Sequence, residues 1–587
     1  MALGAGAVCE NGSGRGGGLT EQHSSFWRRN RWILWVGGCL GVVVAALAVV
    51  VAVALHRAEP FLRARIVAGL EDRFHARVEL DSFHMSLVHG LRAEGKGLRI
   101  WAPQSALTKD ATVGGNAEPL IRLAEFRFHA PLHYQRGKPF HISVVELEGL
   151  DVRVPPRSRF AHDKPKDAGE AVQRSNRGWD LPTVSVDTVE CLGTRLTLET
   201  DKPGKLPIQI AISRLKLTGF RRTGATGKTS VGVPVMDFEA ELTNPKPVGM
   251  ITTSGTFGPW QVDDPGESSV TGDYDFSHAD MGSFKALAGT LSSTGHYDGT
   301  LRDLTVDGQT DTPDFQLKPF DNPLPLHTKF HAKVDGTNGD TWLQPVEATL
   351  GRSHFTVEGK IVRVAEPGEN GGPLVSKGHN ISLTVNVDRG RIEDFLRLAS
   401  HSNPSILTGA VTARAMLDIP PGPEHVVKRM KLKGSFKLDD ALFTSAKIQD
   451  RIRDLSLRAL GRPKDVKESA PETVDSTMSG DFQMVDGVIA LPVLKYSVPG
   501  AAIQLRGTYE VEGGAINFEG SAALQATISQ MVGGWKGLLL KPADRFFKKD
   551  GAGTEVPIHI SGTRDAPQFG VDIGRMKKTL PETPGQK

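Results

Sequence analysis

Two histidine pairs, His129/His133 and His327/His331, carry the i, i+4 spacing that sets two imidazoles over one zinc ion on a helix. Both pairs sit in sequence that alternates like a strand, where four residues span roughly 13 Å, farther than one metal bridges. They read as strand-surface histidines. The acidic run Asp335-Gly336-Thr337-Asn338-Gly339-Asp340 offers the oxygen ligands calcium takes, but not the twelve-residue spacing and closing glutamate of an EF-hand. A β-turn tip accounts for it equally well. Cys191 follows a strand with no histidine nearby in sequence to activate it, and there is no GxSxG elbow, Walker loop, HExxH or dinucleotide fingerprint. The expectation is a non-enzymatic chain with no catalytic residue, no metal and no cofactor.

With 70 basic and 67 acidic residues the net charge is only +3, and no dense Lys/Arg block occurs in the large domain. Nucleic acid is therefore not an expected partner. Cys9 and Cys39 lie before or within an apolar run, which leaves Cys191 alone beyond it, so no disulfide can form there. That run, Trp32 to Leu55, carries no charge over 24 residues, and as a helix it covers a hydrocarbon core of about 30 Å. Trp32 and Trp35 suit the interface, and Arg28, Arg29 and Arg31 ahead of the span point to a cytoplasmic N-terminus. Arg57, Arg63 and Arg65 behind it blunt the asymmetry. Ala52-Val53-Ala54 fits a signal-peptidase site, but the run is longer than an ordinary h-region. A single-pass anchor is expected, with residues 1–31 a disordered cytoplasmic tail and residues 576–587 a second disordered tail.

After the span, Leu62, Ile66, Leu70 and Phe74 recur every four residues, drawing one stripe along an amphipathic helix within residues 56–76. Such a helix either plugs the end of a sheet or rests on the lipid headgroups. From Val78 the period changes to two, and Val78, Leu80, Phe83, Met85 and Leu87 alternate with polar neighbours. Strands are predicted at Phe126 to Tyr134, His141 to Val154, Val184 to Val189, Arg195 to Glu199, Ile208 to Leu217 and Asp237 to Leu242. A looser repeat follows in which glycine stands two before an aromatic residue: Gly255/Phe257, Gly272/Tyr274, Gly295/Tyr297, Gly434/Phe436, Gly480/Phe482 and Gly507/Tyr509. Turns or bulges with positive φ are expected at these glycines. Helical interruptions are predicted at Ala279 to Ala288, Ile392 to Ser400 and Thr527 to Phe547. Exposed loops are predicted at Arg157 to Arg177, Ala365 to Gly378 and Arg462 to Thr473.

The order of anchor, short helix and strands resembles the AsmA family of envelope proteins. The likeness rests on Arg77-Val78-Glu79-Leu80, Gly90-Leu91-Arg92-Ala93-Glu94-Gly95 and Val144-Val145-Glu146-Leu147-Glu148-Gly149-Leu150-Asp151-Val152. Near the end it rests on Leu455-Ser456-Leu457-Arg458-Ala459-Leu460-Gly461 and on Pro499 through Tyr509. These motifs are structural, so no catalytic site is carried over. The resemblance divides the β-rich part into an N-terminal stretch, 77–260, and an AsmA-like C-terminal region, 261–575. It implies a mainly β fold: an elongated, curved antiparallel sheet forming an open apolar groove, akin to bridge-like lipid carriers of the chorein type. With 20 to 25 strands such a groove would be on the order of 100 Å long.

Alternation makes Phe126, Phe128, Leu147, Leu215, Leu217, Phe257, Phe436, Phe482 and Ile503 the candidate floor of that groove, each also open to ordinary packing. The leading expectation is an inner-membrane-anchored periplasmic protein of a diderm bacterium. It would bind phospholipid or move it between envelope membranes, or support outer-membrane lipid homeostasis, with membrane, phospholipid cargo and envelope proteins as partners. The competing expectation is an assembly scaffold whose β-domain binds a protein or cell-wall partner and carries no lipid. A hydrolase built from residues distant in sequence ranks last.

Overall fold

The structure is a computed structural model. It describes residues 59–60, 63–64, 66–71, 76–86, 91–101, 118–130, 140–159, 184–222, 234–261, 264–284, 286–318, 320–400, 403–463, 465, 474–532, 541, 553–564 and 566–571. The expected span from Trp32 to Leu55, both tails, His133 and most of the predicted loops at 157–177 and 462–473 lie outside the described residues. Among the described residues no helix is long and apolar enough to cross a membrane.

Among the described residues, period-two sequence folds into 25 strands. The first are β1 (Val78–Glu79), β2 (Ser82–Ser86), β3 (Leu91–Ile100), β4 (Ile121–Ala130), β5 (Phe140–Val154), β6 (Val184–Leu198), β7 (Ile208–Arg222), β8 (Pro234–Pro245) and β9 (Val248–Phe257). The middle holds β10 (Ser269–Asp280), β11 (Leu287–Ala288), β12 (Thr290–Thr300), β13 (Asp303–Leu317), β14 (Leu324–Asp335), β15 (Thr341–Leu350), β16 (Ser353–Gly368) and β17 (Gly372–Arg391). The last are β18 (Leu407–Ile419), β19 (Lys431–Phe443), β20 (Thr477–Val485), β21 (Val488–Val498), β22 (Ala501–Glu510), β23 (Ala515–Leu524), β24 (Thr554–Thr563) and β25 (Ala566–Val571). Three helices matter to packing: α1 (Ile392–Leu398), α2 (Ala446–Ala459) and α3 (Ile528–Val532).

Strands pair in chain order, with β1 and β2 sharing β3 and β11 adding to the end of β13. The sheet is curved and open: β25 pairs only with β24. The expected antiparallel arrangement holds everywhere except at β5 and β6, which run parallel with Leu147 opposite Cys191. A parallel pair needs a connection of a dozen or more residues, and the stretch between Val154 and Val184 is long enough to make one. Pairing continues through β9 and β10, Phe257 opposite Val270, across the change of region placed at residue 260.

The first edge is covered. Described residues between 59 and 71 are helical. Arg63 Nε donates to the Leu80 carbonyl at 2.9 Å, and Glu59 and Glu71 accept the Met85 and Val78 N–H groups at 3.2 and 3.3 Å. Ile66, Val67 and Leu70 pack on the β1 to β4 strands beside Val78, Leu80 and Phe83. Side chains thus satisfy edge groups that an open strand leaves to water.

Several expectations need correction. Ala279 to Ala288 is not helical: β10 runs to Asp280, Met281–Ser283 is a single 3-10 turn and Leu287–Ala288 joins β13. The Asp280 carboxylate accepts the Gly282 N–H at 2.7 Å and caps the start of that turn, which ends at Phe284. Ala365 to Gly378 is not a loop, because β16 and β17 extend through it and pair up to Gly368 and Gly372. The segments 184–189 and 195–199 join into one strand, β6, bent at Gly193, which has φ +65°. From Thr527 to Phe547 the described helix is Ile528–Val532. α2 was not anticipated as a helix, although Ile448, Ile452, Leu455 and Ala459 recur at helical spacing.

The six motif glycines, 255, 272, 295, 434, 480 and 507, lie within strands and none has positive φ. Their role is steric. In β10 and β12, Gly272 faces Tyr297 and Tyr274 faces Gly295; in β19 and β20, Gly434 faces Phe482 and Phe436 faces Gly480. In these two pairs the Gly-x-aromatic triplets pair reciprocally and each ring lies over the neighbour's glycine, whereas Gly255 faces Gly272 and Gly507 faces Leu491 and Phe518. A Cβ at Gly434 would come 2.7 Å from the Phe482 ring and onto the Arg414 carbonyl; one at Gly272 would come 2.9 Å from the Tyr297 hydroxyl. Absence of a side chain there lets the backbones coil closely.

Candidate functional site

Cross-strand partners share a face, so register alone traces which side chains line each side of the sheet. Phe126 stands opposite Leu147, Leu147 opposite Cys191, and Cys191 opposite Leu215. Leu217 stands opposite Phe238, Phe238 opposite Gly255, and Gly255 opposite Gly272, with Phe257 two residues along the same side. The same walk ends with Phe436 opposite Gly480, Phe482 opposite Gly434 and Tyr496 opposite Ile503. All nine candidate floor residues, Phe128 included, therefore lie on one face, here face one. Face two carries their charged and polar neighbours.

The nine do not share one environment. Phe126 is buried, with Phe128 and Leu147 packed beside it in the first core; Phe436 and Ile503 pack on the last core, and the Phe482 ring lies 6.3 Å from that of Phe436. All of the nine but Phe126 are half-buried. Phe482 apart, the ones outside the core clusters and their packed neighbours are Leu215, Leu217 and Phe257, in the middle of the sheet. Around them Ile251, Phe276, Leu304, Val306, Phe330 and Leu343 are half-buried too. The apolar cores of the described residues lie toward the two ends, at β1 to β5 and from β17 to β24.

The middle section is bridged by a clasp. The turn between β6 and β7 lies at one end of the strands, rim one, and the turn between β14 and β15 lies at the opposite end, rim two. They meet eight strands apart in chain order. Lys202 pairs with Asp335, and Lys205 Nζ reaches Asp340 Oδ1 at 2.9 Å and the Arg363 carbonyl at 2.5 Å. Gly204 accepts the Ala365 N–H at 2.9 Å, and Arg363 donates to the Asn338 carbonyl at 3.1 Å. Asp335, Asn338 and Asp340 are 6%, 0% and 5% exposed.

The run whose oxygens invite calcium is thus bound internally: Asp335 accepts from Thr337, Asn338 and Lys202, and Asp340 from Lys205 and the Arg363 N–H. Burial pushes the Asp335 carboxyl up, but the Lys202 and Thr337 hydrogen bonds outweigh it and hold it below the ordinary value. His379, on face one of β17, is held below the ordinary histidine value by burial and then by Arg363 and Lys246. Lys246 belongs to the rim-one turn between β8 and β9, so that turn and the clasp lie over the face-one side of β17.

The other chemistry-bearing residues are dispersed. His327 and His331 sit on exposed face two, each with its own aspartate, Asp311 and Asp307, at 2.6 Å. His129 is also on face two, accepting from Arg92 at 3.0 Å. Cys191 is fully buried, and burial pushes its thiol up to about 11 against a Thr194 hydrogen bond, which leaves it a thiol at neutral pH. A cavity of about 1020 Å³ lies mainly against face two, among Glu146, Glu190, Lys216 and Glu239. Charged cross-strand side chains make up most of its lining, to which the face-one residues Leu147, Ala240, Thr253 and Tyr274 also contribute.

The chain matches no protein-family model, no curated protein and no solved structure.

Proposed function

We propose that the chain is an AsmA-like envelope protein, anchored by Trp32 to Leu55 in the inner membrane of a diderm bacterium, whose face one holds phospholipid acyl chains. It would carry lipid between the envelope membranes, or support outer-membrane lipid balance, without chemistry. One observation carries this reading: across β7 to β15 the apolar face continues in register, with Phe238, Ala332, Val346 and Ala348 buried but Leu215, Leu217, Ile251, Phe257, Phe276, Val306, Phe330 and Leu343 only half-buried, and without a core cluster of its own among the described residues. Soluble proteins seldom leave contiguous apolar area of that extent open to water. Acyl chains would cover it at about 25 cal/mol per Å² of apolar surface removed from water. Headgroups would stay outside the apolar rows, met by water or by polar side chains.

The test is native mass spectrometry with lipid extraction on the full chain purified in mild detergent, beside a single-pass control with an ordinary packed domain. Stoichiometric phospholipid on this chain, and a several-fold loss in Phe257→Asp, is the expected result. A folded chain with no more lipid than the control would remove the carrier reading and leave the assembly scaffold.

A further inference from the structure

Face one is broken midway by a cluster of hydroxyls. Thr253, Tyr274, Ser293, Tyr297, Thr310 and Thr328 lie on that face across β9 to β14, where register places no lysine or arginine among its described residues. The protons of Thr253, Tyr297, Ser293 and Tyr274 can be assigned from their partners. Thr253 donates to the Asp273 carbonyl at 2.8 Å, so in its 2.7 Å contact with the Tyr297 hydroxyl the tyrosine is the donor. Ser293 donates to the Gln309 carbonyl at 3.0 Å, so in its 3.1 Å contact with the Tyr274 hydroxyl the tyrosine again donates. A carbonyl cannot donate and a hydroxyl has one proton. Both phenol oxygens thus retain lone pairs while their protons are committed. The two rings sit side by side, each over the other strand's glycine.

We infer that this hydroxyl waist is a polar-group station at which the two tyrosine oxygens accept from a hydrogen-bond donor on the cargo, a hydroxyl or a primary ammonium. The inference rests on the lipid-carrier reading. Acyl chains would lie on the apolar rows to either side, and the donor-bearing part of the molecule would meet the tyrosine oxygens. A hydrogen bond contributes about 0.5–1.5 kcal/mol net, which corresponds to a preference of about two- to tenfold.

The experiment loads the full chain from vesicles holding equal amounts of phosphatidylethanolamine and phosphatidylcholine with identical acyl chains, then quantifies both lipids on the re-isolated protein. Only the first headgroup carries N–H donors. The expected result is an excess of phosphatidylethanolamine of at least twofold, abolished in Tyr274→Phe/Tyr297→Phe with total lipid unchanged. Those substitutions keep the rings over their glycines, and thermal melting checks that the fold is kept. Equal uptake by the parent chain overturns the inference, as does a preference that survives both substitutions. Uptake of neither lipid is a different result and removes the carrier reading beneath it.

Discussion

The last third of the sheet and its middle are written in the same alternating sequence, yet only one of them is closed over. From β17 to β24, Val387, Val411, Leu438, Tyr496 and Leu524 form a dry cluster, with Ile392, Phe395 and Leu396 of α1 and Ile452 and Leu455 of α2 packed against it. Both helices are inserted at rim one between strands. In β7 to β15 the rim-one connections are turns, and face-one residues such as Val306 and Phe330 stay half-buried. A strand pattern therefore specifies an apolar face but not what covers it. The cover is set by what the chain inserts between strands, and among its described residues the middle inserts turns and a clasp but no α-helix.

Breaking the clasp should have the largest effect. Lys205→Met leaves the Asp340 carboxylate buried with its main cation removed, a loss of about 3–5 kcal/mol, readable as a lower urea midpoint. Leu438→Ala, at a fully buried position, should cost about 2–5 kcal/mol. Val306→Ala in the half-exposed middle should cost about 1 kcal/mol or less, since less surface is lost from burial. Equal losses at the two sites would erase the contrast between the regions.

The smallest effects are in pH. Asp335 has a folded pKa below its ordinary 3.8. Its contribution is therefore complete above pH 3.8 and is lost as pH falls below that value through the folded pKa. His379 is depressed below 6.5, so the unfolded chain takes up the proton first and stability declines as pH falls below 6.5. Denaturation curves should show both steps. His379→Gln should remove the upper one alone; an upper step that persists would assign it elsewhere.

Much of the sheet was legible because period two is a local property. The strands at β5, β7 and β8 and the common face of the nine floor residues follow from it. Which of the nine pack on a core cluster was not legible, because it depends on helices placed elsewhere in the chain. The clasp was illegible for a similar reason: Lys202 and Asp335 are separated by 133 residues, and an acidic turn reads as a cation site until its lysines are found. The parallel junction at β5 and β6 depends on a crossover that no local pattern announces. The glycines were seen but misassigned, since φ and cross-strand crowding give them the same sequence signature. The α2 periodicity at Ile448, Ile452, Leu455 and Ala459 was present and went unused.

The most direct test of lipid on face one is a photoreactive phenylalanine analogue placed at Phe257, on face one, or at Trp342, exposed on face two, with the full chain irradiated in cells and purified. Phospholipid adducts at Phe257 and none at Trp342 are the predicted result. Adducts at neither position, or equally at both, would contradict a lipid-bearing face.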